Sequence, residues 1–561
     1  MRFILSLLLL CSLFSNSQNN YPQDYFGNPL DVTLVLAGTF AELRSNHFHS
    51  GLDIKTKQRI GLKVLASASG FVSRIKISNF GYGKALYITH PNGYTTVYAH
   101  LSKLSPEIEA YIKAKQYEEE SYEIELFPTP EELLVTKGEL VAYSGNTGSS
   151  GGPHLHFEIR NKEEHPINPM LFGLDVLDTK APVIQALYAY PLDENSFINK
   201  KNTKQKIRLV PLKNGDFVTE KIEAIGNIGF GIKTIDRQDL AGNSNGVYNI
   251  QTIENGNRNF EIDFRKFSFD ETRHINTLID YEHYKTKKER VQLLFRKDNP
   301  LSLLKSVSND GVLTIKDSTN SVYKIRVSDF KSNSSWITVN IKGTQSTAAE
   351  PVPAKITPYF IKANETTNLK EGKVSVDFYR DTFYSDLYLD FEVKNDTLFL
   401  DEDVTPTQKN FNITFDVSHY NDADKNKLYI ARLIGYKNYP VYSTTRRDGD
   451  FLSTSTKTLG KYALATDTIP PTIKASNFKD NQWLSNFRYL KVKITDVGSG
   501  ISNFRGTING KWILMEYEYK NNTLTYDFND NDLTDTNNKL KVIVTDNVGN
   551  NTTFEALFHR K

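Results

Sequence analysis

Cysteine is all but missing: the 561 residues hold one, Cys11, inside an apolar run near the start. The chain beyond that run has no thiol and no disulfide, so its stability must come from packing or metal. Charge of one sign is missing too, since 68 Lys and Arg meet 66 Asp and Glu for a net +2. Without a broad basic field, nucleic acid is excluded as a partner class. Past residue 17 no stretch approaches the ~20 apolar residues that a membrane helix requires. The opening MRFILSLLLLCSLFSNSQNN has Arg2 ahead of the apolar run and small residues behind it, the plan of a secretory signal peptide over residues 1–17. Leu8, Leu9 and Leu10 lack the small residues that precede a lipidated cysteine. The protein therefore reads as exported, either periplasmic or extracellular at the cell envelope.

What is plentiful points to strands and turns. There are 30 Tyr and 33 Phe, with many Asn and Thr, which predicts a mainly β protein. The length calls for about three or four domains. Residues 18–177 are Gly-punctuated and close on HPINPMLFG. DTKAPVI at 178–184 nearly recurs as DTIPPTI at 467–473, and each is followed by a similar strand, GIKTID at 231–236 and KVKITD at 491–496. The two units also end alike, IRVSDFKSNSSWITVNI at 325–341 against VIVTDNVGNNTTFEALF at 542–558. Alternating strands between turn signals predict Ig-like β-sandwich modules over 178–342, with insertions, and over 467–561. The stretch 343–358 has linker composition, and 359–466 forms a further β-rich module. Asp and Asn at the sandwich turns are read as turn formers rather than calcium ligands.

Seven of the eleven histidines (His47, His49, His90, His100, His154, His156 and His165) precede residue 178, which concentrates a site in the first domain. In GNTGSSGGPHLHFEIR, Leu155, Phe157 and Ile159 alternate with His154, His156, Glu158 and Arg160. A strand then puts both imidazoles on one face. In RSNHFHSGLDIK, His49 and Asp53 stand four apart around Gly51. Imidazole nitrogen and carboxylate oxygen are ordinary zinc donors, and one histidine of the HxH pair completes three protein ligands with a fourth position open. The other histidine of the pair is placed to act as a base, and alternation does not say which is which. In ALYITHPNGYTTVYAHLS, Asn92-Gly93 predicts a two-residue hairpin turn, with Thr95 facing His90 and His100 facing Ala85. That register groups His90 with Val97 and Ala99, and His100 with Thr96 and Tyr98, so at most one of these histidines reaches a site.

HSGLD (49–53), YAHL (98–101) and GNTGSSGGPHLHFEIR (145–160), with the strand near Gly70–Val72 and the closing PINP, closely resemble the lysostaphin-type, or LytM-like, zinc metalloendopeptidases over about residues 40–172. The resemblance implies a Gly-rich antiparallel β-sheet peptidase domain of the duplicated hybrid motif type. It implies one zinc ion per chain on His49, Asp53 and His156, with His154 as general base and His100 as a second catalytic histidine that orients water or stabilises the oxyanion. The implied activity is hydrolysis of peptide cross-links in bacterial peptidoglycan. The alternative is a non-catalytic regulator or scaffold that recruits another wall hydrolase, although every motif position is filled. His47 and His165 match no family position and read as loop residues. The sandwich tail is expected to bind, space or position, with cell-envelope proteins as candidate partners. One departure from the family is the stretch at about 105–134, with nine Glu and two Lys. Ser105 and Pro106 suit a helix start, and Ile108, Tyr111 and Ile112 suit one buried face. Its outer face reads as solvated surface, or as a groove rim that hosts a partner.

Overall fold

The computed structural model describes residues 21–297, 299–345, 355–531 and 533–561. The predicted signal peptide, with Cys11, and residues 346–354 of the predicted linker lie outside the described residues. In the N-terminal domain a nine-stranded antiparallel sheet runs in the order β1 (Leu36–Gly38), β2 (Leu52–Lys55), β11 (His154–Arg160), β6 (Thr95–Leu101), β5 (Lys84–Thr89), β4 (Gly70–Ile77) and β8 (Ile124–Leu126). β12 (Pro166–Ile167) pairs with β11, and β9 (Leu134–Val135) with β4. A second sheet orders β3 (Lys63–Leu65), β10 (Leu140–Tyr143) and β7 (Lys103–Leu104).

Alternation in β11 does what its sequence predicts. Leu155, Phe157 and Ile159 are fully buried in one core with Ile75, Leu86, Tyr98 and Val141. Each such side chain stabilises the sheet by roughly 1.5–3 kcal/mol. β11 lies between β2, where His156 pairs with Asp53, and β6, where His156 pairs with Ala99.

The β5–β6 hairpin departs from the predicted register by one residue. Thr95 pairs with Thr89 rather than His90. The N–H of His90 bonds the Tyr94 carbonyl at 2.9 Å, and Gly93, at φ 84°, bonds the His90 carbonyl at 2.9 Å. A three-residue loop with a left-handed glycine has replaced the two-residue turn. The slip sends His90 into the core, where its Nδ1–H donates to the Ser69 carbonyl at 3.0 Å and its Nε2 meets Thr96 Oγ1 at 2.9 Å.

The Glu-rich insertion contains a helix, Pro106–Glu119, that buries Ile108, Ile112 and Gln116, with Tyr111 half-buried. Its outermost face, with Glu107, Ala110, Ala114 and Glu118, is exposed, while one flank is a platform for the chain's own tail. Tyr117 meets Trp512 edge-on at 5.2 Å and accepts from Asn531 Nδ2 at 2.8 Å. Nearby, Lys84 Nζ lies 2.9 Å from both carboxylate oxygens of Glu516, and Tyr519 packs on Phe80 at 4.7 Å. These partners belong to a C-terminal sandwich in which a four-stranded and a five-stranded sheet enclose a core from Ile473 to Phe558. Strands over 183–343 form a thirteen-stranded array that shares its core with the N-terminal domain, and a separate core spans Ile361 to Tyr462.

The position of β2 depends on a residue without a side chain. A Cβ on Gly51 would sit 2.3 Å from the Phe157 carbonyl oxygen, whereas one on Gly151 would meet nothing within 4 Å. Gly51→Ala is expected to force β2 away from β11 at a cost of about 1–3 kcal/mol. Thermal unfolding should show a lowered transition for this variant and an unchanged one for Gly151→Ala.

Candidate metal centre

The pairing of β2 with β11 brings three donor atoms to one point. His49 Nε2 lies 2.9 Å from Asp53 Oδ1 and 3.0 Å from His156 Nδ1, which is itself 3.0 Å from Asp53 Oδ1. All three residues are buried.

The far side of each ring fixes its proton. His49 Nδ1 is 2.7 Å from the Thr39 carbonyl, which can only accept, so Nδ1 carries the hydrogen and Nε2 presents a lone pair. His156 Nε2–H donates to Glu158 Oε1 at 2.7 Å, which turns the Nδ1 lone pair inward. Three acceptors facing one another in a buried site require a cation among them, either a proton or a metal. Two imidazole nitrogens and a carboxylate oxygen, with both rings anchored from behind, fit zinc. Without metal, the proton falls to His156: burial opposes its charge, but the hydrogen bonds to Asp53 and Glu158 outweigh burial and push it up to about 9. Burial would likewise raise Asp53, but the surrounding imidazoles of His49, His154 and His156 hold its carboxyl well below the usual range. Arg44 Nη2 donates to the second Asp53 oxygen at 2.9 Å.

Sequence reading missed the group behind His156. Glu158 is fully buried and accepts from Ser50 Oγ at 2.6 Å, Arg160 Nε at 2.6 Å and the Tyr82 hydroxyl. Burial alone would raise its carboxyl, but Arg160 and His156 outweigh burial and keep it ionised. The signal was present in HFEIR, because Glu158 and Arg160 share the His156 face of the strand.

His154 and His100 complete the arrangement. His154 Nε2 lies 3.3 Å from Asp53 Oδ1, and its Nδ1–H donates to the Gly152 carbonyl at 2.8 Å. Regular alternation would send His100 into the core after Tyr98. A φ of 59° and a register shift opposite Ala85 rotate it outward, so that its ring stands 4.8 Å from His154 and 5.9 Å from His156. A left-handed non-glycine residue at a bulge is a strained conformation of the kind found at functional sites. The His100 Nδ1–H donates to the Thr147 carbonyl at 2.9 Å. Burial first, then the charges of His156 and His154, pull His100 down to about 3, so its ring stays neutral and its Nε2 can only accept. Gly148, at φ 65° with room for no Cβ against the Gly83 N–H, holds this loop in place. Of the other early histidines, His90 sits in the core, while His47 bonds the Ser45 carbonyl and His165 closes a turn with Asn161, and the donor cluster contains none of the three.

The family model for peptidase family M23 matches residues 47–117 and 129–169. The N-terminal domain is an M23 domain of the lysostaphin type. The unmatched residues within it, 118–128, fall in the Glu-rich insertion. Over this M23 domain the chain is 35% identical to the DD-carboxypeptidase/endopeptidase Mpg of Neisseria meningitidis across 132 residues, 24% of each protein. It is 32% identical to the peptidoglycan DD-endopeptidase ShyA of Vibrio cholerae across 123 residues, 22% of each. It is 27% identical to lysostaphin of Staphylococcus simulans across 141 residues, 25% of this chain and 22% of that one. The chain thus spans about a quarter of the length of the curated relatives it matches. Residues 358–467 match a Zu5-like domain. Among the described residues no helix is long and apolar enough to cross a membrane.

Glu158→Gln removes the charge that anchors His156 and should weaken zinc affinity about 10–100-fold. Competition with a chromophoric chelator measures this directly. Because metal must displace the His156 proton, affinity should rise about tenfold per pH unit below about pH 9. The same titration repeated across neutral pH checks the slope, and a flat profile would contradict the assigned proton.

Proposed function

We propose that the chain is an exported zinc metalloendopeptidase that hydrolyses peptide cross-links of bacterial peptidoglycan. The observation that carries this reading is the set of four imidazoles and one carboxylate in which every ring is locked from behind with a bare nitrogen facing the centre. The names of the relatives, among them a peptidoglycan DD-endopeptidase, support the substrate class. The filled ligand set favours catalysis over a non-catalytic regulator.

His49, Asp53 and His156 would hold the zinc. When bound, the ion supplies Lewis acidity, which polarises the carbonyl under attack and makes water a nucleophile near neutral pH. His154 has its hydrogen on Nδ1, so Nε2 is free to take the proton of the attacking water and return it to the leaving amine. Such a base contributes about 10²–10⁴ in rate. His100 has no hydrogen on Nε2 and stays neutral, which suits it to orient the water by accepting rather than to donate to an oxyanion. Glu158, Arg160 and Thr39 act as positioning residues.

The test incubates the purified protein and its His154→Ala and His156→Ala variants with purified peptidoglycan and weighs the released fragments by mass spectrometry. Cross-link cleavage should be lost in both variants, with zinc lost only in His156→Ala. A wild-type protein that holds stoichiometric zinc and releases nothing from any wall type would favour the regulator.

A further inference from the structure

Two clusters of carboxylates outside the metal centre are copies of one another. Asp178, Asp236 and Asp329 bring one oxygen each to within 4.8 Å of the others, and Asp467, Asp496 and Asp546 do the same. Each set draws on the same three positions of the repeated unit: the first residue of DTKAPVI or DTIPPTI, the last of GIKTID or KVKITD, and the Asp of VSDFKSN or VTDNVGN. The support is copied as well. Asn333 Nδ2 donates to Asp329 Oδ2 at 2.7 Å and to the Asp178 carbonyl at 3.2 Å. Asn550 Nδ2 donates to Asp546 Oδ2 at 2.7 Å and to the Asp467 carbonyl at 3.0 Å.

Turn chemistry explains part of these clusters. Asp496 Oδ2 accepts from the N–H groups of Gly498 and Gly500, and Asp546 Oδ1 from those of Val548 and Asn550. It does not explain the oxygens left over. Asp236 is 2% exposed, and its Oδ1 has no hydrogen-bond partner; Oδ1 of its counterpart Asp496 has none either. Gln238 Oε1, on a side chain 4% exposed, is a further unpartnered acceptor. It lines the same cavity of about 20 Å³ as Asp178, Asp236 and Asp329. That is room for a single ion. Buried acceptors without donors are costly, and like charges this close repel. The nearby lysines are occupied elsewhere, Lys331 by Asp175, Lys180 by the carbonyls of Gln238 and Asp239, and Lys427 by Asn550.

We propose that each Asp triplet binds one calcium ion and that the two ions pin their modules to the domain that precedes each. The donors are all hard oxygens from carboxylates and an amide, without nitrogen or sulfur, which is the calcium preference. The placement at junctions is direct. Thr39 and Asn168 of the M23 domain line the first cavity, and the N–H of Asp467 bonds the Lys427 carbonyl of the Zu5-like region at 2.9 Å.

The test uses the full chain with saturating zinc, so that the M23 site is filled, dialysed against millimolar labelled calcium. Two calcium ions per chain are expected, with one lost in Asp236→Asn, one in Asp496→Asn and both in the double variant. Calcium should raise the Tm of wild type by several degrees. In calcium-free buffer near neutral pH Asp236→Asn should be about as stable as wild type, since burial and the charges of Asp178 and Asp329 push the Asp236 carboxyl up to about 8 and leave it protonated there. No bound calcium in wild type, or a stoichiometry that neither variant lowers, would overturn the proposal. So would a calcium-free Asp236→Asn protein less stable than wild type. If either variant fails to fold, Asp329→Asn and Asp546→Asn read the same two sites.

Discussion

The rest of the centre depends on a single cross-strand pair, His156 opposite Asp53 on β11 and β2. A β-ladder has period two, so a slip of one residue would turn His154, His156, Glu158 and Arg160 into the core and expose Leu155, Phe157 and Ile159. The apolar face therefore fixes the polar one: burial of Phe157 holds the register, and the register holds the donor atoms 3.0 Å apart. Gly51 lets the two strands meet at that point, and without it the ligand on β2 and the ligand on β11 would belong to separate surfaces.

Around this pair the chain has built braces from parts that lie outside the M23 match. Thr39, whose carbonyl anchors His49, is bonded through its hydroxyl to the backbone of Gly246. The N–H of Phe48, next to His49, donates to Thr272 Oγ1 at 2.8 Å. On the other flank, Lys520 reaches the Asn146 carbonyl and Tyr519 OH the Gly148 carbonyl, on either side of the Thr147 carbonyl that anchors His100. His49 and His100 are thus each one or two bonds from another region of the protein.

Much of this was legible in the sequence, and the reasons for the remainder are physical. The mainly β class, the sandwich tail and the family resemblance followed from composition, alternation and three short motifs. The hairpin register was misread because Asn92-Gly93 serves a three-residue loop as readily as a two-residue one. The orientation of His100 rests on a left-handed φ, which no periodicity reports. Glu158 and Arg160 were on the right face of the strand but read as ordinary polar alternation. The helix Pro106–Glu119 gave no hint that one flank meets residues about 400 positions later, because such contacts leave no local pattern. The two Asp triplets show the opposite case: the repeat was visible in the sequence, but only the fold brings its three positions to one point.

The docking of the C-terminal sandwich gives the chain a temporal order. All four histidines and the aspartate of the centre are in place by residue 156, while the residues that clamp the loop beneath His100 are translated only beyond residue 510. A nascent or clipped chain would own every ligand and lack the clamp. Loss of the C-terminal sandwich would therefore spare every ligand and release only the loop that anchors His100.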